Sequence, residues 1–204
     1  IVDADEVPVM DGSSASFCML LDEAGSVDLD APKKIMKIKK EIIVRDGDKY
    51  VKLSPSDDLN YDFTIKFNHP VIDEQSFTLN FTKSEYKEKI SKARTFGFLQ
   101  EVQYLRSKGL ALGGSLENAV VLDDKKVLNT EGLRFPDEFV RHKILDAIGD
   151  MALLGVNFIG NYEAFAGSHD LNHKLTLALL KEKENYEIVE LSGVEAKELA
   201  HAYA

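Results

Sequence analysis

"EIIVRDGDKYVKL", Glu41 to Leu53, places two apolar runs on either side of Asp46-Gly47. An Asp-Gly pair between apolar runs is a strong hairpin signal, so the chain reads first as antiparallel sheet. Upstream, "PKKIMKIKK" (Pro32 to Lys40) alternates lysine with Ile and Met. That pattern predicts a half-exposed strand whose lysines form a solvated face. Downstream, "YDFTIKF" (Tyr61 to Phe67) and "FTLNFT" (Phe77 to Thr82) alternate around the loop "NHPVIDEQS". Thr82 and Glu85 are spaced as a capping box ahead of a helix to about Ala93.

The second half mixes helices with strands. "ARTFGFLQEVQYLRSKG" breaks at Gly97 and resumes as a helix ending at Gly109. "LALGGSLENAVVLDDKKVLN" predicts apolar strands around turns, the sharpest at Gly113-Gly114. "FPDEFVRHKILDAIGDMALLG" carries Pro136 and two acids at its start and Gly155 at its end, a helix of about five turns. "VNFIGNYEAF" is a strand, Ser168 starts another helix, and "YEIVEL" (Tyr186 to Leu191) is the last strand. At the other end, Ile1 to Val9 reads as the end of a strand plus a loop. Ser14 caps a short helix, "ASFCMLLDEAG", that stops at Gly25, and Ser26 to Pro32 reads as a linker. The tail after Ser192 is polar and alanine-rich. The order gives an α+β class, a two-layer sandwich of antiparallel sheet with helices on one face.

The chain has 204 residues, 44% of them hydrophobic and 29% charged, enough to bury a real core without a staple. Its one cysteine, Cys18, has no internal partner, which fits a reducing compartment such as the cytoplasm. A net charge of -10 argues against nucleic acid as a partner. No run reaches the roughly 18 apolar residues of a membrane span, and no signal peptide is visible.

The long helix holds an unusual row. His142, Asp146 and Asp150 recur at four-residue intervals beside an apolar stripe of Val140, Ile144, Ala147, Ile148, Met151 and Leu154. Three readings fit: a solvated face, a hydrogen-bond network at the core edge, or a metal site. Two ligands at i and i+4 converge on one ion, the geometry that H-E-x-x-H helices use for zinc. With one more ligand and an open position, histidine and carboxylate make a catalytic zinc site. In "GSHDLNHKL", His169 falls in the first turn of a helix. It reads either as a surface histidine or as an acid oriented by a carboxylate, Asp150 being the leading candidate.

"VPVMDGSSASF", "ARTFGF", "LALGGS", "VLNTEGLRFPDEFVRHKILDAIGD" and "GSHDLNHKL" occur in collinear order from Ile1 to about Leu191. Together they resemble the UDP-3-O-acyl-N-acetylglucosamine deacetylases, the zinc amidases of the committed step of lipid A biosynthesis in Gram-negative bacteria. The resemblance implies two similar α+β domains with the active site between them. Residues 1–31 would be the last part of the first domain plus a linker, and residues 32–204 a complete second domain with an insert. It implies that His142 and Asp146 hold Zn2+. His169 would support the charged intermediate and protonate the leaving amine, with Asp150 behind it, and the Thr95 hydroxyl would help bind the oxyanion. Lys143 would contact substrate, and Phe67 would stack on uracil. Phe96 would also line the substrate site. Leu99, Val102, Ala111, Gly114, Ser115, Ala119 and Val121 would line an apolar acyl passage, although a tight turn alone explains the glycines. The implied partner is the UDP-sugar lipid, met in peripheral proximity to a membrane.

Two departures qualify the resemblance. The family's third ligand and general base are a Glu-His pair on a first-domain helix, and no such pair occurs in these residues. His69, His173 and His201 do not replace it. A missing N-terminal segment is therefore expected to complete the site, and the chain alone is expected to bind zinc weakly and to be inactive. The second departure is "AFAGSH": family members often carry a basic residue near Ala166 that reaches the diphosphate. Alternatives to an enzyme are a non-catalytic nucleotide-sugar or lipid-binding module of the same fold, and an RNA-binding domain, which the charge opposes.

Overall fold

A computed structural model describes residues 2–191; Ile1 and the tail from Ser192, with His201, lie outside the described residues. The elements are α1 (Ala15–Ala24), β1 (Lys33–Ile38), β2 (Ile42–Asp46), β3 (Lys49–Ser54), β4 (Leu59–Lys66), β5 (Glu74–Asn80) and α2 (Lys83–Glu85). Then come β6 (Phe96–Phe98), α3 (Leu99–Ser107), β7 (Val120–Leu122), α4 (Glu138–Ala152), β8 (Asn157–Phe165), α5 (His169–Lys181) and β9 (Tyr186–Leu191). The class is α+β, as the order of patterns predicts.

Seven strands form the main sheet around β8. Its first residues, Asn157 to Ile159, pair with β1; from Gly160 onward it lies between β3 and β4. The hairpin of β2 and β3 closes on Asp46 opposite Lys49, with Gly47 and Asp48 as the loop. The sheet is mixed and not purely antiparallel: β8 runs parallel to both β1 and β4. Long intervening connections permit this, since parallel neighbours need a crossover and not a tight turn.

Strand β4 shows why one face meets the helices. Leu59, Tyr61, Phe63 and Ile65 are buried while Asp62 and Lys66 are exposed, the period of two that a one-sided sheet requires. Those residues share a core with Phe139, Val140, Ile144, Ala147 and Met151 of α4 and Leu171, Leu175 and Leu179 of α5. Each such large side chain contributes about 1.5–3 kcal/mol on burial, so this face fixes where α4 and α5 lie.

The basic run behaves differently from a simple half-exposed strand. Ile35 and Met36 are both buried, because Ile35 meets Ile159 and Leu191 on the second face of the sheet. Three of the run's five lysines remain solvated but matched: Lys34 faces Glu190 at 3.5 Å, Lys39 faces Glu187 at 3.4 Å and Lys40 faces Glu184 at 2.5 Å.

Several local expectations change. Residues 2–9 form no strand and bend at 4–6; Val2, Val7 and Val9 are exposed with no strand paired to them among the described residues. Ser14 precedes α1 without capping it. Its hydroxyl instead lies 2.7 Å from the Tyr86 hydroxyl and donates to the Ser91 carbonyl at 3.2 Å. Thr82 does cap α2, accepting from Glu85 N at 3.1 Å, but the Glu85 carboxylate turns to Lys89 and a π turn, Tyr86–Ile90, follows. The stretch around Leu110 to Leu112 is an exposed loop, and strand structure is confined to the three-residue β7, parallel to β6. Helix α4 has 15 residues, about four turns. Among the described residues no helix is long and apolar enough to cross a membrane.

Candidate active site

Helix α4 presents four polar residues at four-residue intervals: Glu138, His142, Asp146 and Asp150. His142 is buried at 6% exposure, and its Nδ1–H donates to the Ala93 carbonyl at 3.0 Å. That bond turns Nε2 toward Asp146 Oδ1, 3.3 Å away. Lys143 Nζ donates to the other oxygen, Oδ2, at 2.7 Å. Burial pushes the Asp146 carboxyl up, but the hydrogen bond and charge of His142, with those of Lys143, outweigh it. The carboxyl is held well below the usual carboxylate range.

The donor set fits half of a metal site. Bonded through Nδ1, His142 points Nε2 at a carboxylate oxygen, and without a proton there it would direct a lone pair at that oxygen. Two acceptors that close require a cation between them, a proton or a metal ion. Ligand atoms bound to zinc at about 2.0–2.1 Å in tetrahedral geometry stand roughly 3.3 Å apart. Among the described residues, no group of three His, Cys, Asp or Glu side chains is placed to hold one ion.

A second acid–histidine pair lies one turn along the row. The turn from β8 into α5 is tight: Ala166 takes φ +47°, and a Cβ on Gly167 would stand 3.0 Å from Phe63 Cζ and 3.1 Å from Val51 Cγ1. Ser168 then caps α5 by accepting from Leu171 N at 3.3 Å. His169 is thereby set at the first position of the helix. Its Nδ1–H donates to Asp150 Oδ2 at 2.8 Å. Asn172 Nδ2 donates to the same oxygen at 2.8 Å, and the Tyr162 hydroxyl donates to Asn172 Oδ1 at 2.7 Å. The His169 side chain is 68% exposed, and no described residue takes its Nε2.

Thr95 sits immediately before β6. Its backbone N–H donates to Gly12 O and its carbonyl accepts from Val120 N, each at 2.8 Å, while its hydroxyl has no hydrogen-bond partner among the described residues. Phe96 packs edge-on to His142 at 6.4 Å and lies under the Lys143 ammonium at 5.7 Å. Phe67, half-buried, meets Phe96 at 5.9 Å and Phe98 at 5.8 Å. His142, Lys143, Asp146, Phe96 and Phe67 are therefore contiguous.

The insert residues are less closely gathered. Leu99 and Val102 are half-buried on α3, and Val121 is buried on β7 opposite Gly97. Ala119 and Gly114 are half-buried, whereas Ala111 and Ser115 lie on an exposed loop held by Asn118. Leu110, Leu112 and Leu116 of that loop are exposed. His69 is occupied at both nitrogens: Nε2–H donates to Asp123 O at 2.7 Å, and Nδ1 accepts from Val71 N at 3.2 Å. At Ala166, where a basic residue is absent, the backbone N–H donates to Thr64 O at 2.8 Å.

Four polar residues around the site escape a sequence reading. Arg94 and Glu138 form a buried ion pair behind His142, and Asn172 and Tyr162 brace Asp150. The only signal for Glu138 is its place four residues before His142; as a helix-start acid it looks like an ordinary partner of the helix dipole.

Converging acceptors beside an oriented histidine are parts that cation-assisted hydrolysis would use. Residues 1–181 match the family model described as LpxC, UDP-3-O-acyl N-acetylglycosamine deacetylase. The chain is similar along its whole length to proteins named UDP-3-O-acyl-N-acetylglucosamine deacetylase. It is 79% identical to that of Sulfurimonas denitrificans and 62% identical to that of Campylobacter fetus subsp. fetus, covering 69% of each. With that of Wolinella succinogenes the identity is 61%, over 68% of that protein. The chain belongs to this family of deacetylases.

Proposed function

We propose that the protein removes the acetyl group from UDP-3-O-acyl-N-acetylglucosamine, giving the free amine and acetate for lipid A synthesis in the cytoplasm. The observation that carries this reading is the 3.3 Å approach of His142 Nε2 to Asp146 Oδ1, with the His169–Asp150 pair one turn away. In this reading His142 and Asp146 hold Zn2+, which when bound polarises the amide carbonyl and makes water acidic enough to attack near neutral pH. The free Thr95 hydroxyl donates to the oxygen that becomes negative. His169, oriented by Asp150, donates the Nε2 proton to the nitrogen as the C–N bond breaks. Lys143 meets polar groups of the substrate, the Phe67 ring stacks on the uracil, and Phe96 lines the substrate site beside His142. Leu99, Val102, Ala111, Gly114, Ser115, Ala119 and Val121 border the acyl chain.

Residues 1–31 belong to a first domain and 32–204 to a second. The third ligand and the base that takes the water proton come from outside these 204 residues, so the chain by itself is inactive. Acetate release from the UDP-sugar by the full-length protein, lost in His142→Ala and absent from residues 1–204 alone, is the test. Hydrolysis by residues 1–204 alone would refute the division of the site.

A further inference from the structure

The row on α4 has a member that the proposed chemistry leaves unused. Glu138 is fully buried and stands one helical turn before His142. Its Oε1 accepts from Arg94 N at 3.0 Å and from Arg94 Nε at 2.8 Å; its Oε2 accepts from Arg94 Nη2 at 3.2 Å and from Arg134 N at 2.6 Å. The Arg94 guanidinium also donates to Gly132 O at 2.7 Å and Glu131 Oε1 at 2.8 Å. Both carboxylate oxygens of Glu138 and four of the five guanidinium N–H groups of Arg94 are therefore directed.

Arg94 lies between the two residues whose placement matters. Ala93 supplies the carbonyl that accepts from His142 Nδ1, and Thr95 supplies the free hydroxyl. Glu138 grips Arg94 through its backbone N–H as well as its side chain, so the grip reaches the peptide that follows Ala93. From the other side, Gly12 O accepts from Thr95 N. That approach needs glycine: φ is +82°, and a Cβ on Gly12 would stand 2.1 Å from Asn118 O. We propose that Arg94 and Glu138 are positioning residues. They tie the Ala93 carbonyl to the same helix that carries His142, and so fix which ring nitrogen faces Asp146. A buried ion pair is seldom a good source of stability, since apolar residues of similar volume often do as well. Its directed bonds, however, set a position that an apolar pair does not.

This inference rests on the proposed function for its kinetic readout but has one of its own. In full-length protein, wild type, Arg94→Met/Glu138→Leu and Arg94→Lys are compared by thermal midpoint, by 15N-edited NMR of the His142 Nδ1 proton, and by kcat and KM. The double variant is expected to fold with a near-wild-type midpoint. Its Nδ1 proton loses protection from exchange, and kcat falls about 10–100-fold with KM little changed. A folded double variant with a protected Nδ1 proton and wild-type kcat overturns the proposal. Should the double variant not fold, Arg94→Lys decides by the same readouts, because lysine keeps the charge but not the planar two-point grip. If wild type binds no zinc and releases no acetate, the functional reading fails, and the NMR result still decides the role of the pair.

Discussion

His142 and His169 each face an aspartate of α4, yet they are built in opposite ways. His142 is buried, and both its nitrogens are committed: Nδ1 to a backbone carbonyl, Nε2 to the Asp146 side. His169 is mostly exposed, and only Nδ1 is engaged. A metal ligand must hold one position and one tautomer, and burial against a fixed carbonyl provides both. A proton donor needs an oriented ring with one nitrogen open to the reacting group. Under the proposed function the two histidines, one on α4 and one at the start of α5, would serve different chemistry because their surroundings differ.

Substitutions separate the two histidines, most strongly at His142. His142→Ala is expected to abolish stoichiometric zinc and acetate release together, as metal analysis and a deacetylation assay will read. His169→Ala should keep its zinc while kcat drops by about 10²–10⁴. If His169→Ala lost zinc and His142→Ala kept it, the roles would be reversed.

Glu138→Ala should cost about 3–5 kcal/mol of stability in denaturant titration, because it strands the buried Arg94 charge. That contribution also depends on pH. Burial pushes the Glu138 carboxyl up, but hydrogen bonds from the Arg94 side chain, Arg94 N and Arg134 N and the Arg94 charge outweigh it, leaving the carboxyl below its ordinary value of 4.5. A carboxyl lowered by folding stabilises fully above its unfolded value, and the gain is lost as pH falls through the lower, folded one. The stability difference between wild type and Arg94→Met/Glu138→Leu should therefore shift against wild type below the ordinary carboxylate range and be flat near neutrality. Smallest is Asp150→Asn, expected to lower kcat about 10–100-fold with zinc unchanged, since the ring of His169 loses its anchor but not its chemistry. An Asp150→Asn protein depleted of zinc would show that the two pairs are not separable.

Much of the scaffold is legible from pattern. Helix α4 declares itself by its apolar stripe and the Gly155 stop, α5 by the Ser168 cap, and strands β3, β4, β8 and β9 by their apolar runs. The row itself is visible because i, i+4 spacing is a one-dimensional fact. What stays hidden is long-range. Glu138 reads as a helix-start acid until Arg94, 44 residues away, is seen on it. Parallel pairing of β8 with β1 and β4 leaves no local mark, whereas the hairpin does. The insert misleads for another reason: Leu110 and Leu112 look like strand residues, yet they are exposed, so their apolar character answers to something other than the core of this chain. Zinc and the substrate are implied by resemblance alone, since i, i+4 spacing leaves a solvated face equally open.

The most direct measurement follows both histidines at once. Full-length protein stripped of metal is titrated with Zn2+ while the ring 15N signals of His142 and His169 are recorded. His142 Nε2 is expected to shift and saturate at one zinc per chain while His169 keeps the Nδ1–H bonded to Asp150. A zinc-dependent shift at His169 Nε2 with His142 unmoved, or saturation with neither ring affected, would contradict these roles.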